Sequence, residues 1–312
     1  MLSVIVPVYN GAHVLPKTVP AMLGQDEPAR WIFVDDGSTD ETRSTLEGLI
    51  ANAPRRDGRT IEVLSHPTNK GRASARNTGV ATAGGSLLAF MDADVAPAPG
   101  YLSKLVGAMN RPGAVACVAR LEMAETDLAQ PYHRYLASSK RGPGKSDAAK
   151  PLPWKYFLTT ASCMRTDVLA RAGGFNESIS YGEDIELAVR ISQNHPDGLY
   201  YALDAVARMY DLGSLETATT NMIEFGRDNL PAMIAEYPEL ARWTGVDVVH
   251  SPARKSARRA AAGLLLRRGL AQRVQRILPR LPSGLSDYAV RYLLGYTLAT
   301  SYQEGLKALH SH

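Results

Sequence analysis

Leu87-Leu88-Ala89-Phe90-Met91-Asp92-Ala93-Asp94 decides how this chain is read. Five successive apolar residues without polar alternation suit a strand buried on both faces, and two carboxylates stand where that strand would end. Side chains at i and i+2 of an extended segment point to the same side, so Asp92 and Asp94 can converge on one hard cation, Mg²⁺ or Mn²⁺. Such an ion keeps open positions for diphosphate oxygens. Asp-x-Asp also arises by chance as an exposed strand-end turn, so the surrounding segments have to decide.

Toward the N-terminus, strand-like and helix-like segments alternate. Residues 3–8 are a β-branched run, 12–23 have helix-compatible spacing, 31–34 are a short apolar run, 41–51 a helix, 61–64 a third strand and 74–82 a helix leading into Leu87. Alternation of this kind predicts βαβ units, an α/β fold with a mainly parallel central sheet and flanking helices, and ligands at the carboxyl ends of the strands. Toward the C-terminus, residues 138–153 (SSKRGPGKSDAAKPLP) interrupt the pattern as a loop, either a surface insertion or an active-site lid. After Met209 the pattern becomes helical, with breaks at Pro231, Pro238, Pro252, Pro279 and Pro282. The expected division is a catalytic domain over 1–230 and a basic helical region over 231–312.

The polar clusters fall at the expected strand ends. In Val34-Asp35-Asp36-Gly37-Ser38-Thr39-Asp40, the carboxylates can accept hydrogen bonds from a base imide or a ribose, while Ser38 and Asp40 equally suit turn and N-cap chemistry. Asn69-Lys70-Gly71-Arg72-Ala73-Ser74-Ala75-Arg76 sets three cations beside small residues at a helix start, an arrangement that suits a diphosphate or a solvated helix face. Ile185, Ala188, Val189 and Ser192 form a helical stripe, which puts Glu183 and Asp184 at a helix N-terminus. There the macrodipole favours the carboxylate form, and an anionic Asp at a cavity edge can serve as general base for a hydroxyl. Ordinary N-terminal helix acids would read the same way.

Order and spacing give these clusters their weight. SVIVPVYN, VDDGSTDET, NKGRASARNTG, Asp-Ala-Asp, GGFNE and GEDIELAVRI, in that sequence over residues 2–230, closely resemble the family 2 glycosyltransferases of the GT-A fold. The resemblance implies inverting, metal-dependent transfer of a sugar from a nucleotide-diphosphate donor, UDP ahead of GDP, to a hydroxyl of a glycan or lipid-linked acceptor. It implies that Pro7, Tyr9 and Asn10 border the nucleoside, that Asp35 or Asp36 binds base and ribose, and that Lys70 and Arg76 lie near the nucleotide. Asp92 and Asp94 match the metal-binding pair, with Asp92 facing ribose or metal and Asp94 as the direct ligand. Asp184 matches the catalytic base and Glu183 its supporting acid. Many relatives carry a histidine after the strand that follows the Glu-Asp helix, whereas LYYALDAVARMY has none, which leaves Arg208 or Tyr210 as phosphate contacts. The Gln-x-x-Arg-Trp element of processive relatives is replaced by Phe225-Gly226-Arg227-Asp228-Asn229, so non-processive transfer is expected. A sugar nucleotidyltransferase would need a basic Gly-rich loop after the first strand, where Tyr9-Asn10-Gly11-Ala12-His13 stands instead. A non-catalytic protein binding nucleotide sugar or nucleic acid is the other alternative.

Composition agrees with a folded globular chain: 312 residues, 45% hydrophobic and 21% charged. Cys117 and Cys163 are too few for a disulfide framework and no Cys/His zinc pattern exists, which points to a reducing compartment. The N-terminal residues show no signal-peptide pattern, and no uncharged apolar run reaches the roughly 18 residues of a membrane span. The chain is therefore expected in the cytoplasm. The net charge of +4 hides a division, because residues 250–312 hold eleven Lys/Arg against two acids. If residues 256–278 are helical, Leu266, Leu270, Val274 and Ile277 share an arc that excludes Arg268, Arg273, Arg276 and Arg280. A basic amphipathic helix of this kind suits an anionic membrane surface at the cytoplasmic face, or packs on its own domain. Without a recognisable reading module, nucleic acid is not expected as a partner.

Overall fold

In the computed structural model, residues 1–124, 129–137, 143–246, 278 and 283–309 are described. The strands are β1 (Leu2–Val8), β2 (Ala29–Asp35), β3 (Thr60–Ser65), β4 (Leu87–Met91), β5 (Val95–Pro97), β6 (Ala116–Met123), β7 (Ala161–Arg165) and β8 (Leu199–Met209). They form one sheet in the order β3-β2-β1-β4-β7-β6-β8-β5. β3, β2, β1 and β4 run parallel, and β7 is antiparallel to both β4 and β6. β6 and β8 pair in parallel, and β5 closes the far edge antiparallel to β8. The mainly parallel sheet expected from the alternation is thus concentrated in the first four strands.

The helices in chain order are α1 (Leu15–Leu23), α2 (Thr42–Ala51), α3 (Arg72–Thr82), α4 (Tyr101–Met109), α5 (Pro131–Ala137), α6 (Thr166–Arg171), α7 (Glu183–Asn194), α8 (Leu215–Glu224), α9 (Leu230–Glu236), α10 (Leu240–Thr244) and, after the undescribed stretch, α11 (Ser283–Leu309). The chain divides into two compact units, one of Met1–Glu125 with Ser139–Asp211, the other of Thr126–Ser138 with Leu212–His312. Compactness places the break after Asp211, while the sequence reading drew its catalytic domain to 230.

In the first unit β1 is covered on both faces, which explains why its run is β-branched without alternation. Leu2, Val4, Val6 and Val8 join Leu15, Val19, Trp31, Phe33 and Tyr101 in the main core. Ile5, also fully buried, meets α3: a Cβ on Gly79 would lie 2.6 Å from Ile5 Cγ2, so only glycine lets that helix approach so closely. The segment expected as a loop over 138–153 is more structured than its composition suggested. Its described part contains a 3₁₀ turn over Lys145–Ala149, and buried Leu152 donates its N–H to the Leu199 carbonyl at 2.7 Å. Two flanking prolines fix an extended backbone there, and Leu152 supplies the apolar anchor.

In the second unit the chain is helical without interruption from Leu215 to Glu236, so Pro231 does not break it. A π-helical turn over Phe225–Asn229 precedes the proline, and the widened ladder accommodates a residue that has no N–H to return. α11 packs along α5, α8 and this turn with Val290, Leu293, Ala299 and Tyr302 buried, and Arg134 of α5 reaches Ser286 Oγ at 2.6 Å and Asp287 Oδ1 at 3.2 Å. The apolar pattern around Tyr288 lies in α11. The basic amphipathic segment over 256–278 falls outside the described residues apart from Leu278, as does the hairpin expected between it and α11. Among the described residues no helix is long and apolar enough to cross a membrane.

Candidate active site

The carboxyl ends of β1, β2 and β4 and the start of α7 bring most of the expected residues together. β4 ends in Asp92-Ala93-Asp94, held in place by three backbone contacts. Asp92 donates its N–H to Thr160 O at 3.1 Å, Tyr210 donates its N–H to Asp94 O at 2.8 Å, and the Thr18 hydroxyl of α1 donates to Ala93 O at 2.7 Å. The two carboxylates are half-buried. Asp94 is pushed up to about 7 by burial and by the negative fields of Asp92 and Asp211, with Arg72 pulling the other way.

Arg76, on the second turn of α3, is the hub of the site. Its side chain is 2% exposed and donates to Asp92 Oδ1 at 3.0 Å and to Glu183 Oε1, while its guanidinium carbon lies 5.7 Å from the Phe175 ring centre. Burial opposes its charge, but the combined fields of Asp92, Glu183 and Asp184 outweigh it and hold the guanidinium above its ordinary value. A residue expected beside the nucleotide is thus committed to tying β4 to α7. Its buried Nε has no partner among the described residues.

Glu183 and Asp184 open α7 as the apolar stripe suggested. Glu183 is buried on Arg76, whereas Asp184 is half-buried and accepts the N–H of Ile185 at 2.8 Å. The helix-dipole reading predicted a stabilised carboxylate at Asp184. Instead burial first, and then the neighbouring Glu183, push it up to about 7 against the opposing pull of Arg76. Burial and the adjacent Glu183 charge both favour the protonated form of Asp184.

The ends of β1 and β2, expected to border a nucleoside, are more occupied by internal bonds than the sequence implied. Asp35 is buried and its Oδ1 accepts the N–H of Ser38 at 3.0 Å, a turn-forming contact. Asp36 is buried and takes the N–H groups of Lys70 and Gly71 at 2.9 and 2.8 Å, together with His66 Nδ1 at 2.6 Å. Asn10, in a left-handed conformation at φ 49°, accepts the N–H of Thr39 at 2.9 Å and gives its own N–H to Ser38 Oγ at 3.0 Å. Of the three residues after β1's core, Pro7 is half-buried and Tyr9 is 50% exposed, presenting its ring at the strand end. Lys70 is exposed.

Several neighbours were not singled out from sequence. Arg72 lies over the Tyr181 ring at 5.6 Å, and His13 Nε2 approaches Asp211 Oδ2 at 3.4 Å. Asp211 stands two residues past β8, near where the resemblance implies a histidine, and an acid just beyond a strand end is the signal that marks it. Arg208 instead approaches Glu122 at 3.4 Å. Among the described residues no group of three or more His, Cys, Asp or Glu is arranged to hold a metal. The oxygen donors at this strand end are the carboxylates of Asp92 and Asp94, and the field of Asp92 disfavours the ionised form of Asp94. That set fits a hard cation sharing its coordination with phosphate oxygens.

A parallel-rooted α/β sheet with this acidic cluster at its strand ends defines a GT-A type transferase scaffold. Residues 3–172 match the glycosyl transferase family 2 pattern, and the chain belongs to that family. The match ends before Gly173, so α7 lies beyond it. Among relatives, the pre-mycofactocin glycosyltransferase of Mycobacterium tuberculosis is 34% identical over 193 residues, 61% of this chain and 38% of that protein. The validoxylamine A glucosyltransferase of Streptomyces hygroscopicus subsp. jinggangensis is 28% identical over 220 residues, 61% of this chain and 51% of that protein. The chain therefore spans 38% to 51% of the length of these two curated relatives. In fold it is similar to a mannosyltransferase of Pyrobaculum calidifontis solved with GDP-Man and Mn²⁺ (TM-score 0.63, 18% identity, 98% of this chain and 86% of that one). It is also similar to S. aureus TarS 1-349 (TM-score 0.55, 18% identity, 98% of this chain and 91% of that one).

Proposed function

We propose that this protein transfers a single sugar from a nucleotide-diphosphate donor to a hydroxyl, with inversion at the anomeric carbon and Asp184 as general base. The observation that carries the reading is the Arg76 hub, which fixes the Asp92 end of β4 and the Glu183-Asp184 start of α7 as one unit. In an inverting transfer, the acceptor oxygen attacks the anomeric carbon as Asp184 takes its proton, and the bond to the diphosphate oxygen breaks on the opposite face. A base that titrates near 7 is matched to that task at neutral pH. Asp92 and Asp94 would hold Mg²⁺ or Mn²⁺, which supplies positive charge toward the diphosphate leaving group. Arg72, whose charge acts on Asp94, adds to that field, and the family likeness suggests the same role for exposed Lys70. The GDP-Man and Mn²⁺ of the mannosyltransferase neighbour, and the family itself, support a nucleotide-sugar donor. The family likeness favours a UDP-sugar and a glycan or lipid-linked acceptor.

Thermal unfolding with UDP, GDP and their sugar conjugates, with and without Mn²⁺ or Mg²⁺, tests this reading. One nucleotide should raise the melting temperature in a metal-dependent way, and Asp92→Ala/Asp94→Ala should abolish the rise. No response to any combination would sink the transferase reading. The charge division of the sequence supports peripheral attachment of the C-terminal basic region to an anionic membrane, as part of the same proposal. Sedimentation with anionic vesicles at low salt should carry the protein down, and recovery entirely in the supernatant would refute attachment.

A further inference from the structure

The carboxylate of Asp36 faces a loop and a histidine, and the lone-pair sites that face them are in use. Oδ1 receives His66 Nδ1 at 2.6 Å and the Lys70 N–H at 2.9 Å, and Oδ2 receives the Gly71 N–H at 2.8 Å. An ionised carboxylate only accepts, so Nδ1 of His66 carries a proton and donates it. On the other side of the ring, Nε2 meets the Thr78 hydroxyl of α3 at 2.9 Å. Both the imidazole and the carboxylate are nearly sealed, at 8% and 5% side-chain exposure. The line Asp36–His66–Thr78 therefore joins the end of β2, the residue after β3 and the body of α3. Through Asp36 it also grips the two backbone amides that lead into α3.

A second observation shows how closely these loops are fitted. Gly37, at φ +71°, lies against the backbone of residues 68 and 69, and a Cβ there would stand 2.4 Å from the Thr68 carbonyl carbon. His66 also donates its own backbone N–H to Asp35 O at 2.8 Å. The turn after β2 and the loop before α3 thus behave as one body whose internal bonds converge on Asp36. The cations presented by that body are Lys70 and Arg72, and Arg76 follows one turn later.

We propose that His66 is a positioning residue for the donor. It holds Asp36 in the rotamer that anchors the Lys70 and Gly71 amides, and so aims the start of α3 at the diphosphate. This rests on the donor-site reading above. Asp36 then acts on the loop from behind, through the bonds it accepts from the Lys70 and Gly71 amides.

Amide hydrogen exchange at Lys70 and Gly71, together with calorimetric titration of UDP and GDP in the presence of Mn²⁺, tests the proposal on the full chain. His66→Ala should remain folded by circular dichroism, lose protection at both amides and bind the preferred nucleotide about tenfold more weakly. His66→Asn, which places an amide N–H where Nδ1 stands, should restore both protection and most of the affinity. A general loss of stability would not be rescued in this selective way. Undiminished protection at Lys70 and Gly71 in His66→Ala, or unchanged nucleotide affinity in a folded variant, would overturn the proposal. A wild-type chain that protects both amides yet binds neither nucleotide would overturn the donor-site reading and, with it, the assigned purpose of the brace.

Discussion

Arg76 and Glu183 stand 107 positions apart in the chain and meet in a buried ion pair, 2% and 5% exposed at their side chains. Because the same guanidinium also holds Asp92, one side chain sets the spacing between the acid-bearing end of β4 and the start of α7. Neither strand nor helix could shift without leaving a charge buried and unpaired.

Arg76→Ala should therefore be among the most destabilising single changes in the first unit. Removing one partner of a buried pair costs about 3–5 kcal/mol, most of it from the stranded carboxylate. Arg76→Lys should recover only part of that loss, since a single ammonium lacks the fork that reaches Glu183 and Asp92 together. Urea unfolding monitored by circular dichroism would measure both.

Asp184 ties activity and stability to pH in opposite senses. As a base titrating near 7, it should make the rate rise as pH climbs through that value. Its ordinary value is 3.8, so between 3.8 and about 7 the folded state keeps a proton that the unfolded state has released, and stability from this group falls as pH rises through that window. Asp184→Asn should lose transfer by about a hundredfold or more, yet melt higher than wild type above about pH 7 and no higher near pH 4. A lower melting temperature for the variant at pH 8 would contradict the assignment.

At Asp94 the dominant strain is desolvation with like charge from Asp92 and Asp211. Asp94→Asn should raise the melting temperature of the metal-free protein above neutral pH and eliminate the increment that Mn²⁺ and nucleotide give together. Differential scanning calorimetry with and without the cation separates the two effects.

Gly37→Ala tests the contact between the β2 turn and the loop before α3. A Cβ in the left-handed region costs about 1–2 kcal/mol in itself, and here it would also meet backbone that cannot swing away. The variant should lose stability by more than the dihedral cost alone, read as a lower denaturation midpoint with unchanged slope.

Much of the scaffold was legible because a few segments carried strong local signals. The Leu87–Met91 strand is bounded as its apolar run suggests, and α7 starts at Glu183 where the stripe placed it. β6 and β7 carried weaker signals: Ala116-Cys117-Val118-Ala119 and Ala161-Ser162-Cys163-Met164 have little β-branched content and no alternation, and they exist as strands through the partners on either side. At the site, sequence placed Asp92, Asp94, Glu183 and Asp184 in one neighbourhood but could not reveal that Arg76 would be enclosed among them. Nor could it show that Asp36 turns toward His66, because that bond spans 30 residues and depends on how two strand ends lie side by side. The rise at Asp184, caused by burial and Glu183, was hidden for the same reason, since the dipole is visible in a sequence and desolvation is not.

The irregular step in β8 has a consequence for where this chain tolerates a change of length. Ala119 of β6 pairs with Ala202, and the next residue, Arg120, pairs with Val206, so three residues of β8 have no counterpart in the register. Deleting all three would leave each half of β8 opposite the β6 residues it already faces, and Tyr210 would still reach the carbonyl of Asp94. Deleting one or two would move the later half out of step and carry Asp211 away from the acidic strand tip. Residues 203–205 are thus a splice point where only a three-residue change keeps the register, at the cost of Ala205, which is fully buried in the core.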